Sequence, residues 1–528
     1  MKVVSLVLGV WVLGAAMPAC TAFSAVPRVI ARPGLAAARA SPLIPSSLSS
    51  AVPKARPAVR LGALRTFASA AAEGKGRASA AVVQDKDQSG KATEKLDLNP
   101  PRGTRDFYPE DMRLRNWLFG HWKEVARVFG FEEYDAPVLE SEALYIRKAG
   151  EEVTQQLYNF EDKGGRRVTL RPEMTPSLAR MVMSRGKGLT LPVKWFSLPQ
   201  CWRYERMTRG RRREHFQWNM DVWGVGGVEA EAELLAAVTS FFARVGLSSA
   251  DVGIKINSRA VLAQVLSTMG VPEDKFAATC VLVDKLEKVK IEDIRGDMEA
   301  LGLSEQVVNK LLDTLKIKDI DELAAVVGDD CEAIKQLSKL FEHAEAYGYR
   351  DWLVFDASVV RGLAYYTGIV FEGFDRSGEL RAICGGGRYD MLLQTFGGEP
   401  LPACGFGFGD AVIVELLRDK GLLPDFAANS VDVVVFPFGD AQRACAARVA
   451  TALRSADIAT DLVMEDKKTK WVFKHAERVG CSHVVLIGDA EVDKGVVKVK
   501  EMATGEQVEV PVNDIAKHLA ALSRAPAP

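Results

Sequence analysis

The sequence predicts a multidomain protein that joins an α+β part to a separate α/β part. Three observations lead to this prediction. Strand-like runs flank a basic loop between Lys194 and Gly224, amphipathic helical patterns fill 247–349, and strand and helix patterns alternate after 430. The chain of 528 residues is long enough for roughly two to four domains, each with its own core.

Residues 1–95 have the composition of a targeting leader and linker. Lys2 precedes an apolar run that is short for a membrane span and ends in small residues, as in a signal peptide. From Thr21 to Ala72 the chain is rich in Arg, Ala, Ser and Pro and has no acidic residue, which is typical of a transit peptide. Together the two parts resemble a bipartite leader for a plastid of secondary origin. We expect it to be cleaved, leaving no membrane segment in the mature form; a secretory signal with a linker, or a mitochondrial destination, stays open.

Residues 96–246 predict a helix followed by strands. Turn residues near Pro101 precede a helical pattern from Asp111 to Phe129, and a strand pattern surrounds Pro137, which favours an edge or a bulge. The strand-like runs KWFSLPQCWRYE and HFQWNMDVWG then flank the polar segment RMTRGRRRE. This arrangement predicts a hairpin with a charged loop.

Residues 247–349 change to repeated amphipathic helices, with apolar positions at helical spacing and charges on the other face. They separate two blocks, 96–246 and 350–425, so they are predicted to form an inserted helical domain. A plain packing or dimer-bracing subdomain is the alternative.

The segment VRGLAYYTGIVFEGFDRSGELRAICGGGRYD, from Val360 to Asp390, carries the chemistry of the 350–425 block. Arg361 lies among apolar residues just ahead of two tyrosines, so its guanidinium is predicted to meet an anion. The run Gly385–Gly387 lets a ligand approach the backbone, and Arg388 follows as a second anion clamp. The alternative is a hairpin with a Gly-rich bend and one buried ion pair.

Residues 430–528 predict a small α/β domain with a mixed or parallel sheet. The strand runs VDVVVFPF, ATDLVM and SHVVLIG alternate with helical patterns, and a hairpin with its turn at Gly505 follows. Four lysines cluster near the second helix: Lys467, Lys468, Lys470 and Lys474. Such a run is either a solvated face or part of a nucleic-acid contact.

Net charge and cysteine content limit the kinds of binding site that the sequence predicts. The formal net charge is −1, so a nucleic-acid contact would depend on local basic patches. The eight cysteines show neither a CxxC pair nor zinc spacing. We expect reduced thiols and no metal site.

Four segments in order resemble those of histidyl-tRNA synthetases, which are class II aminoacyl-tRNA synthetases. They are LRPEMTPSLAR (170–180), WRYERMTRGRRREHFQWNMDVWG (202–224, motif 2), RGLAYY (361–366) and GGGRYD (385–390). GFEEYDAPVLE (130–140) is similar to motif 1, and Ala364 stands where the family usually has an acid. The resemblance extends from about Pro101 to the end.

The resemblance implies a class II antiparallel-sheet catalytic core, 96–246 and 350–425, with a helical insertion at 247–349 and an anticodon-binding domain at 430–528. The implied reaction joins L-histidine to ATP, giving histidyl-adenylate and pyrophosphate, and then transfers histidine to tRNA(His). Mg²⁺ and a homodimer with Pro137 at its interface are also implied. A catalytically inactive regulatory paralogue and a nucleic-acid-binding or signalling module with a synthetase-like domain are the alternatives.

The family match also implies roles for individual residues. Arg203 and Arg361 are the implied catalytic residues: Arg203 grips the α-phosphate, and Arg361 lies between that phosphate and the histidine carboxylate. Glu205 is matched to the adenine end of ATP and Arg211 to its distal phosphates, with Arg388 as a further ATP contact. The matched histidine-binding residues are Glu173, Thr175, Arg203, Gln217, Asp221, Arg361, Tyr365 and Tyr366.

Within that set, Glu173, Thr175 and Gln217 are matched to the ammonium group, and Asp221 and Tyr366 to the imidazole. Many relatives have Glu at the position of Asp221, which changes the reach across the pocket by about one methylene. Val412 stands where most class II enzymes have an arginine for the γ-phosphate. Arg211 or Arg388 is expected to compensate.

Overall fold

The computed structural model describes residues 85–86, 92–93, 96–146, 154–286, 289–328, 330–359, 365–426 and 431–523. The chain separates into two compact units, Met1–Lys95 and Leu96–Pro528. In the first unit, strands β1 (Asp85–Lys86) and β2 (Ala92–Thr93) pair antiparallel. The rest of the predicted leader lies outside the described residues. None of the described helices is long and apolar enough to cross a membrane.

Strands of the second unit before residue 426 form two sheets. They are β3 (Glu132–Glu133), β4 (Leu139–Ser141), β5 (Tyr158–Glu161), β6 (Arg167–Leu170), β7 (Val193–Ser197), β8 (Gln200–Trp202), β9 (Glu214–Trp223), β10 (Val252–Ser258), β11 (Leu353–Phe355), β12 (Ile369–Asp375), β13 (Cys384–Arg388) and β14 (Ala403–Gly409). Among the described residues, nine strands form the larger sheet in the order β11-β10-β12-β13-β14-β9-β7-β3, with β8 paired to β9. Its pairs are antiparallel except β10 with β11 and β3 with β7. The predicted hairpin with a charged loop is confirmed as β8 and β9.

The helices of the same region cover this sheet and fill the segment between β10 and β11. They are α1 (Pro109–Val128), α2 (Glu142–Ile146), α3 (Thr175–Arg185), α4 (Glu229–Arg244), α5 (Arg259–Thr268), α6 (Phe276–Val283), α7 (Ile291–Ala300), α8 (Glu305–Thr314), α9 (Ile320–Val327), α10 (Glu332–Tyr347), α11 (Leu392–Thr395) and α12 (Asp410–Asp419). The helical insertion is therefore present. Its predicted start at 247 is too early, because β10 belongs to the central sheet. A short buried strand and a buried helical segment have similar apolar patterns, so periodicity alone did not separate them.

Strand β9 divides the molecule into a packed side and an open side. Its residues Trp218, Met220 and Val222 face the main core, where Trp218 packs against Trp122 of α1 and Phe241 of α4. Because successive side chains of a strand point to opposite faces, the residues between them face the other side. That other side carries the candidate site.

The glycine run is a central strand, so the Gly-rich bend that was given as the alternative for this segment is wrong. Strand β13 pairs antiparallel with β12 on one side and with β14 on the other. A Cβ on Gly386 would overlap the Gly405 carbonyl oxygen, and one on Gly387 would overlap that of Ile369. These glycines serve the close packing of three strands, and not a turn.

The last domain contains β15 (Val433–Pro437), β16 (Thr460–Leu462), β17 (His483–Ile487), β18 (Val496–Glu501) and β19 (Gln507–Pro511), and the helices α13 (Asp440–Ser455), α14 (Thr469–Val479), α15 (Asp489–Lys494) and α16 (Ile515–Ser523). The strand order is β16-β15-β17-β18-β19, parallel for the first three strands and antiparallel for the rest. Of the two predicted possibilities, a mixed or a parallel sheet, the structure shows the mixed one. The hairpin β18–β19 has Gly505 in its turn with φ +78°, a left-handed conformation that glycine adopts at little cost.

Candidate active site

The floor of the site is the open side of β9 and its neighbour β14. Gln217, Asn219 and Asp221 alternate along β9 on this face. Three residues of β14 lie directly opposite them: Gly405, Gly407 and Gly409. Because glycine has no side chain, polar groups can lie against the β14 backbone: a Cβ on Gly405 would overlap Asp221 Oδ1.

Asp221 is the acidic residue of this floor, and its pKa is raised. Its side chain is buried, and the Tyr389 hydroxyl donates a hydrogen bond to its Oδ1. Its Oδ2 is buried without a hydrogen-bond partner among the described residues. Burial raises the pKa of Asp221 to about 7; the Tyr389 hydrogen bond opposes this shift, and the charge of Glu173 adds to it.

The N-terminus of α3 supplies a second acidic group. The Tyr365 hydroxyl donates to Glu173 Oε2 over 3.0 Å, and the Tyr145 hydroxyl donates to the Glu173 backbone carbonyl over 3.3 Å. Burial raises the pKa of Tyr365, the Glu173 charge adds to this shift, and a hydrogen bond with Thr175 opposes it. The structure therefore brings together Glu173, Thr175 and Tyr365, as predicted from distant parts of the sequence.

The loop between β8 and β9 carries the predicted ATP residues. Arg203 Nε donates to the Pro172 carbonyl over 2.9 Å, which joins the loop to the segment before α3. Arg211 Nη2 donates to Glu205 Oε1 over 2.9 Å, so these two predicted ligands form an ion pair with each other. The Glu205 carboxylate is therefore held beside the Arg211 guanidinium.

The pKa of His215 is lowered by burial and by the positive charges around it. Burial lowers its pKa to about 3, and nearby positive groups lower it further: Arg203, Arg105 and Arg211. The imidazole is therefore neutral at physiological pH, and its Nε2 lies 3.2 Å from the Gln217 amide nitrogen, which donates to it. Three guanidinium groups therefore lie near one neutral ring, and two of them are ion-paired: Arg105 with Asp410 and Arg211 with Glu205.

Arg361 and Arg388 were both predicted to bind anions, and the structure tests only the second. Arg361 lies outside the described residues. The Arg388 guanidinium binds protein groups. Nε and Nη2 donate to the two carboxylate oxygens of Glu231 over 2.6 and 2.5 Å, and Nη1 donates to Asp390 Oδ1 over 3.2 Å. Nη1 and Nη2 also donate to the backbone carbonyls of Val225 and Gly227. The buried ion pair, given above as the alternative for this segment, is thus found at Arg388.

Position 412 lies where the loop meets α12. Val412 is buried, and a Cβ built on Gly210 would lie 3.0 Å from Val412 Cγ2. Arg209 of the same loop forms ion pairs with Glu415 and Asp419 of α12. The loop therefore rests on the helix at Val412.

Sequence reasoning missed three residues of the site. Tyr134 and Asn219 each place a buried oxygen there, and Arg171 links three segments by donating to Asp135 Oδ1, the Ala136 carbonyl and the Gln200 carbonyl at 2.6 to 2.9 Å. The strand period could have found Asn219, since it lies between Gln217 and Asp221. Tyr134 and Arg171 lie in the family-like segments 130–140 and 170–180, but these segments did not indicate their roles, because their partners are distant in sequence.

Asp221 makes the stability of the ligand-free protein depend on pH. Its pKa is about 7 in the folded state and about 3.9 when unfolded, so between these values only the folded state keeps the proton. The free energy of unfolding therefore falls as pH rises through this window, by up to about 1.4 kcal/mol per pH unit. We expect the stability of Asp221→Asn relative to wild type to grow from pH 5 to 7 and then level off, measured by urea unfolding.

Asp251→Asn is the matched control. Hydrogen bonds from Lys420 and Ser248 lower the pKa of Asp251 to about 2, so it stays ionised from pH 5 to 8 in both states. Its stability relative to wild type should be constant over that range. An equally constant difference for Asp221→Asn would contradict the raised pKa.

Comparison with known proteins identifies the family. The family model described as histidyl-tRNA synthetase matches residues 103–410, and the anticodon binding domain model matches 432–522. The chain is 56% identical over 454 residues to the chloroplastic/mitochondrial histidine–tRNA ligase of Arabidopsis thaliana, covering 85% of this chain and 92% of that protein. It is 41% identical over 415 residues to the histidine–tRNA ligase of Opitutus terrae, covering 78% and 95%.

A solved structure gives the same result. The crystal structure of histidyl-tRNA synthetase from Nostoc sp. PCC 7120 superposes with a TM-score of 0.66 at 25% identity, covering 81% of this chain and 100% of that one. The predicted fold class and reaction are confirmed, and these relatives give no support to the inactive regulatory alternative. This chain belongs to the histidyl-tRNA synthetase family of class II aminoacyl-tRNA synthetases.

Proposed function

We propose that the open side of β9 binds L-histidine for adenylation. The single observation that supports this most is the buried Asp221 carboxylate, which keeps one oxygen without a partner among the described residues. A carboxylate buried at such cost suits a cationic or N–H donating ring. Glu173, Thr175 and Gln217 would hold the ammonium group, and Tyr366 would contact the imidazole beside Tyr365.

ATP would lie along the arginine-rich loop between β8 and β9. Arg203 would bind the α-phosphate, the Glu205–Arg211 pair would open to contact adenine and the distal phosphates, and Arg361 would bridge the α-phosphate and the histidine carboxylate. Arg388 is left out of this proposal, because its donors are bound to Glu231, Asp390 and backbone carbonyls. Arg211 is then the proposed partner for the γ-phosphate in place of Val412.

The chemistry needs two anions to meet. A histidine carboxylate oxygen forms a bond to the α-phosphorus, and the bond from that phosphorus to the β-phosphate oxygen breaks and releases pyrophosphate. Fixed guanidinium groups offset the repulsion and stabilise the charge in the transition state. A ribose hydroxyl at the tRNA end then attacks the carbonyl and AMP leaves.

Mg²⁺ would enter with ATP. Among the described residues there is no group of three or more His, Cys, Asp or Glu side chains placed to hold a metal ion. Mg²⁺ in nucleotide sites is held largely by phosphate oxygens and water. The positive charge that the protein places at the phosphates would therefore come from arginines. The proposed use of Mg²⁺ is tested by measuring pyrophosphate exchange as a function of Mg²⁺ concentration.

The domain after 430 would bind the anticodon loop of tRNA(His). Phe438 and Met464 follow the ends of the parallel strands β15 and β16 and are 51% and 81% exposed. Trp471 stacks on His475 at 4.9 Å, and Lys467 Nζ lies 5.2 Å from the Trp471 ring centre. Exposed aromatic faces beside lysines suit the unpaired bases of an RNA loop.

Separating the two half-reactions tests the proposal. Wild type is expected to catalyse pyrophosphate exchange with histidine alone among twenty amino acids. A chain ending at 430 should keep this exchange and lose tRNA charging, because all proposed active-site residues come earlier. In the full chain, Trp471→Ala should raise the KM for tRNA about tenfold, by loss of stacking, with exchange unchanged.

Val508→Ala is the control for Trp471→Ala, since Val508 is a similarly exposed apolar residue of the same domain, on β19. It should leave the KM for tRNA unchanged. Equal loss of exchange and charging in a soluble truncated chain would contradict the proposal that residues before 430 catalyse adenylation and that the domain after 430 binds tRNA.

A homodimer is proposed from the small sheet β4-β6-β5. Among the described residues β4 pairs only with β6, and apolar side chains nearby are half exposed: Leu139, Ile146 and Phe160. An edge strand beside apolar side chains is suited to pairing with a second copy. A mass of one chain by light scattering at micromolar concentration would contradict it.

We also propose an organellar location, a plastid of secondary origin or a mitochondrion. The composition of residues 1–95 and the similarity to a chloroplastic/mitochondrial relative support it. Residues 1–95 fused to a fluorescent protein should direct it into an organelle and be removed. A secreted fusion would contradict the proposal.

A further inference from the structure

Three buried oxygen atoms at the site have no hydrogen-bond partner among the described residues. They are Tyr134 Oη, Asn219 Oδ1 and Asp221 Oδ2. Nearly all buried polar atoms in folded proteins have a partner, so unsatisfied ones need an explanation. Three in one pocket indicate hydrogen-bonding capacity that a ligand completes.

Tyr134 reaches this pocket from the edge of the central sheet. It follows β3, and its backbone N–H donates to the Phe196 carbonyl of β7 over 2.9 Å. Its ring packs against Trp195 with centres 5.7 Å apart, and Trp195 lies directly opposite Asp221 in the pairing of β7 with β9. Tyr134 therefore lies on the same face of the sheet as Asp221.

The charges around Tyr134 agree with this position. Burial raises the pKa of its phenol, the Asp221 charge adds to the shift, and Arg171 opposes it. The phenol thus stays protonated and able to donate, beside an Asp221 carboxylate that accepts when it is ionised. The opposite hydrogen-bonding capacities of the two groups match an imidazole, which has one N–H and one bare nitrogen.

We propose that Tyr134 is a specificity-determining residue of the histidine pocket, whose hydroxyl donates to the bare imidazole nitrogen while Asp221 Oδ2 accepts the ring N–H. This inference rests on the proposed binding of histidine by the same pocket. It also accounts for the shorter acid at 221: an aspartate leaves room for a second polar group beside it. Asn219 Oδ1 remains as an acceptor nearer to the ammonium group.

Tyr134→Phe tests this inference, because it keeps the ring packing on Trp195 and removes only the hydroxyl. In histidine-dependent pyrophosphate exchange, we expect kcat/KM for histidine to fall about 10- to 100-fold through KM, with the KM for ATP unchanged. The thermal midpoint of the ligand-free variant should be equal or higher, since a buried hydroxyl without a partner is removed. Wild type should also reject an analogue whose ring lacks the bare nitrogen, and Tyr134→Phe should reject it less strongly.

Tyr349→Phe is the matched control. The Tyr349 hydroxyl is also buried, but it donates to the Ala232 carbonyl over 2.9 Å, outside the pocket. This variant should lose thermal stability and keep the KM for histidine.

Two results would overturn the role of Tyr134. One is an unchanged kcat/KM for histidine in Tyr134→Phe, and the other is an equal loss for histidine and ATP with a lower melting midpoint, as a structural role predicts. Failure of wild type to activate histidine would instead overturn the proposed function of the pocket. The two failures are therefore distinguishable.

Discussion

Replacing Arg361 with alanine is expected to slow histidyl-adenylate formation about 100- to 1,000-fold, the effect of removing one preorganised donor to a transition state. Arg361 lies outside the described residues, so this expectation rests on the family motif RGLAYY and on Tyr365 of the same motif, which donates to Glu173 in the site. An arginine between two anions is needed most while they are brought together. Single-turnover adenylation by the purified variant measures the effect.

Transfer from preformed histidyl-adenylate to tRNA should suffer less in Arg361→Ala, since the two anions are already joined. Arg381→Ala is the control, because Arg381 is an exposed arginine of the same block, and it should change neither step. A thermal melt checks the fold. Adenylation within about threefold of wild type, or equal loss in both steps, would reject the assigned role and favour a structural one.

Replacing Arg388 with methionine is expected to destabilise the protein by about 3–5 kcal/mol, the typical cost of breaking a buried ion pair from one side. Glu231 is fully buried, and Arg388 is its charged partner at 2.6 Å. Burial raises the pKa of Glu231 and the Arg388 hydrogen bond opposes this shift, so without Arg388 the carboxyl is left to bind a proton or stay charged at high cost. Denaturant unfolding at pH 7 measures the loss.

The double variant Arg388→Met, Glu231→Leu is the control for this prediction. It removes both charges, so it should recover most of the lost stability. The KM for ATP should be unchanged in folded Arg388→Met. A stable variant with a KM for ATP raised tenfold or more would instead restore Arg388 as an ATP ligand.

Local periodicity accounts for most of what could be predicted. The strand-like runs that flank RMTRGRRRE gave the hairpin, which the structure confirms as β8 and β9. The alternating patterns after 430 gave the mixed sheet, and Gly505 gave its last turn. Family motifs supplied the reaction, which the comparisons confirm.

Contacts between distant residues could not be predicted in this way. Arg388 was predicted as an anion clamp because its motif is local, yet its partner Glu231 is 157 residues away. The glycines before it were predicted to let a ligand approach the backbone, with a bend as the alternative, but the approach of β12 and β14 makes them a central strand.

By itself, therefore, the sequence determined the family, the order of the domains and the alternation of strands and helices, because these depend on neighbours along the chain. The tertiary structure alone decided which charges pair in the core and which buried oxygens remain without partners among the described residues. Tyr134 and Asp221 meet only because β3, β7 and β9 are adjacent in the sheet. Burial makes these polar groups important for stability and binding. A polar group without a partner costs little free energy when water solvates it, but it costs much in the protein interior.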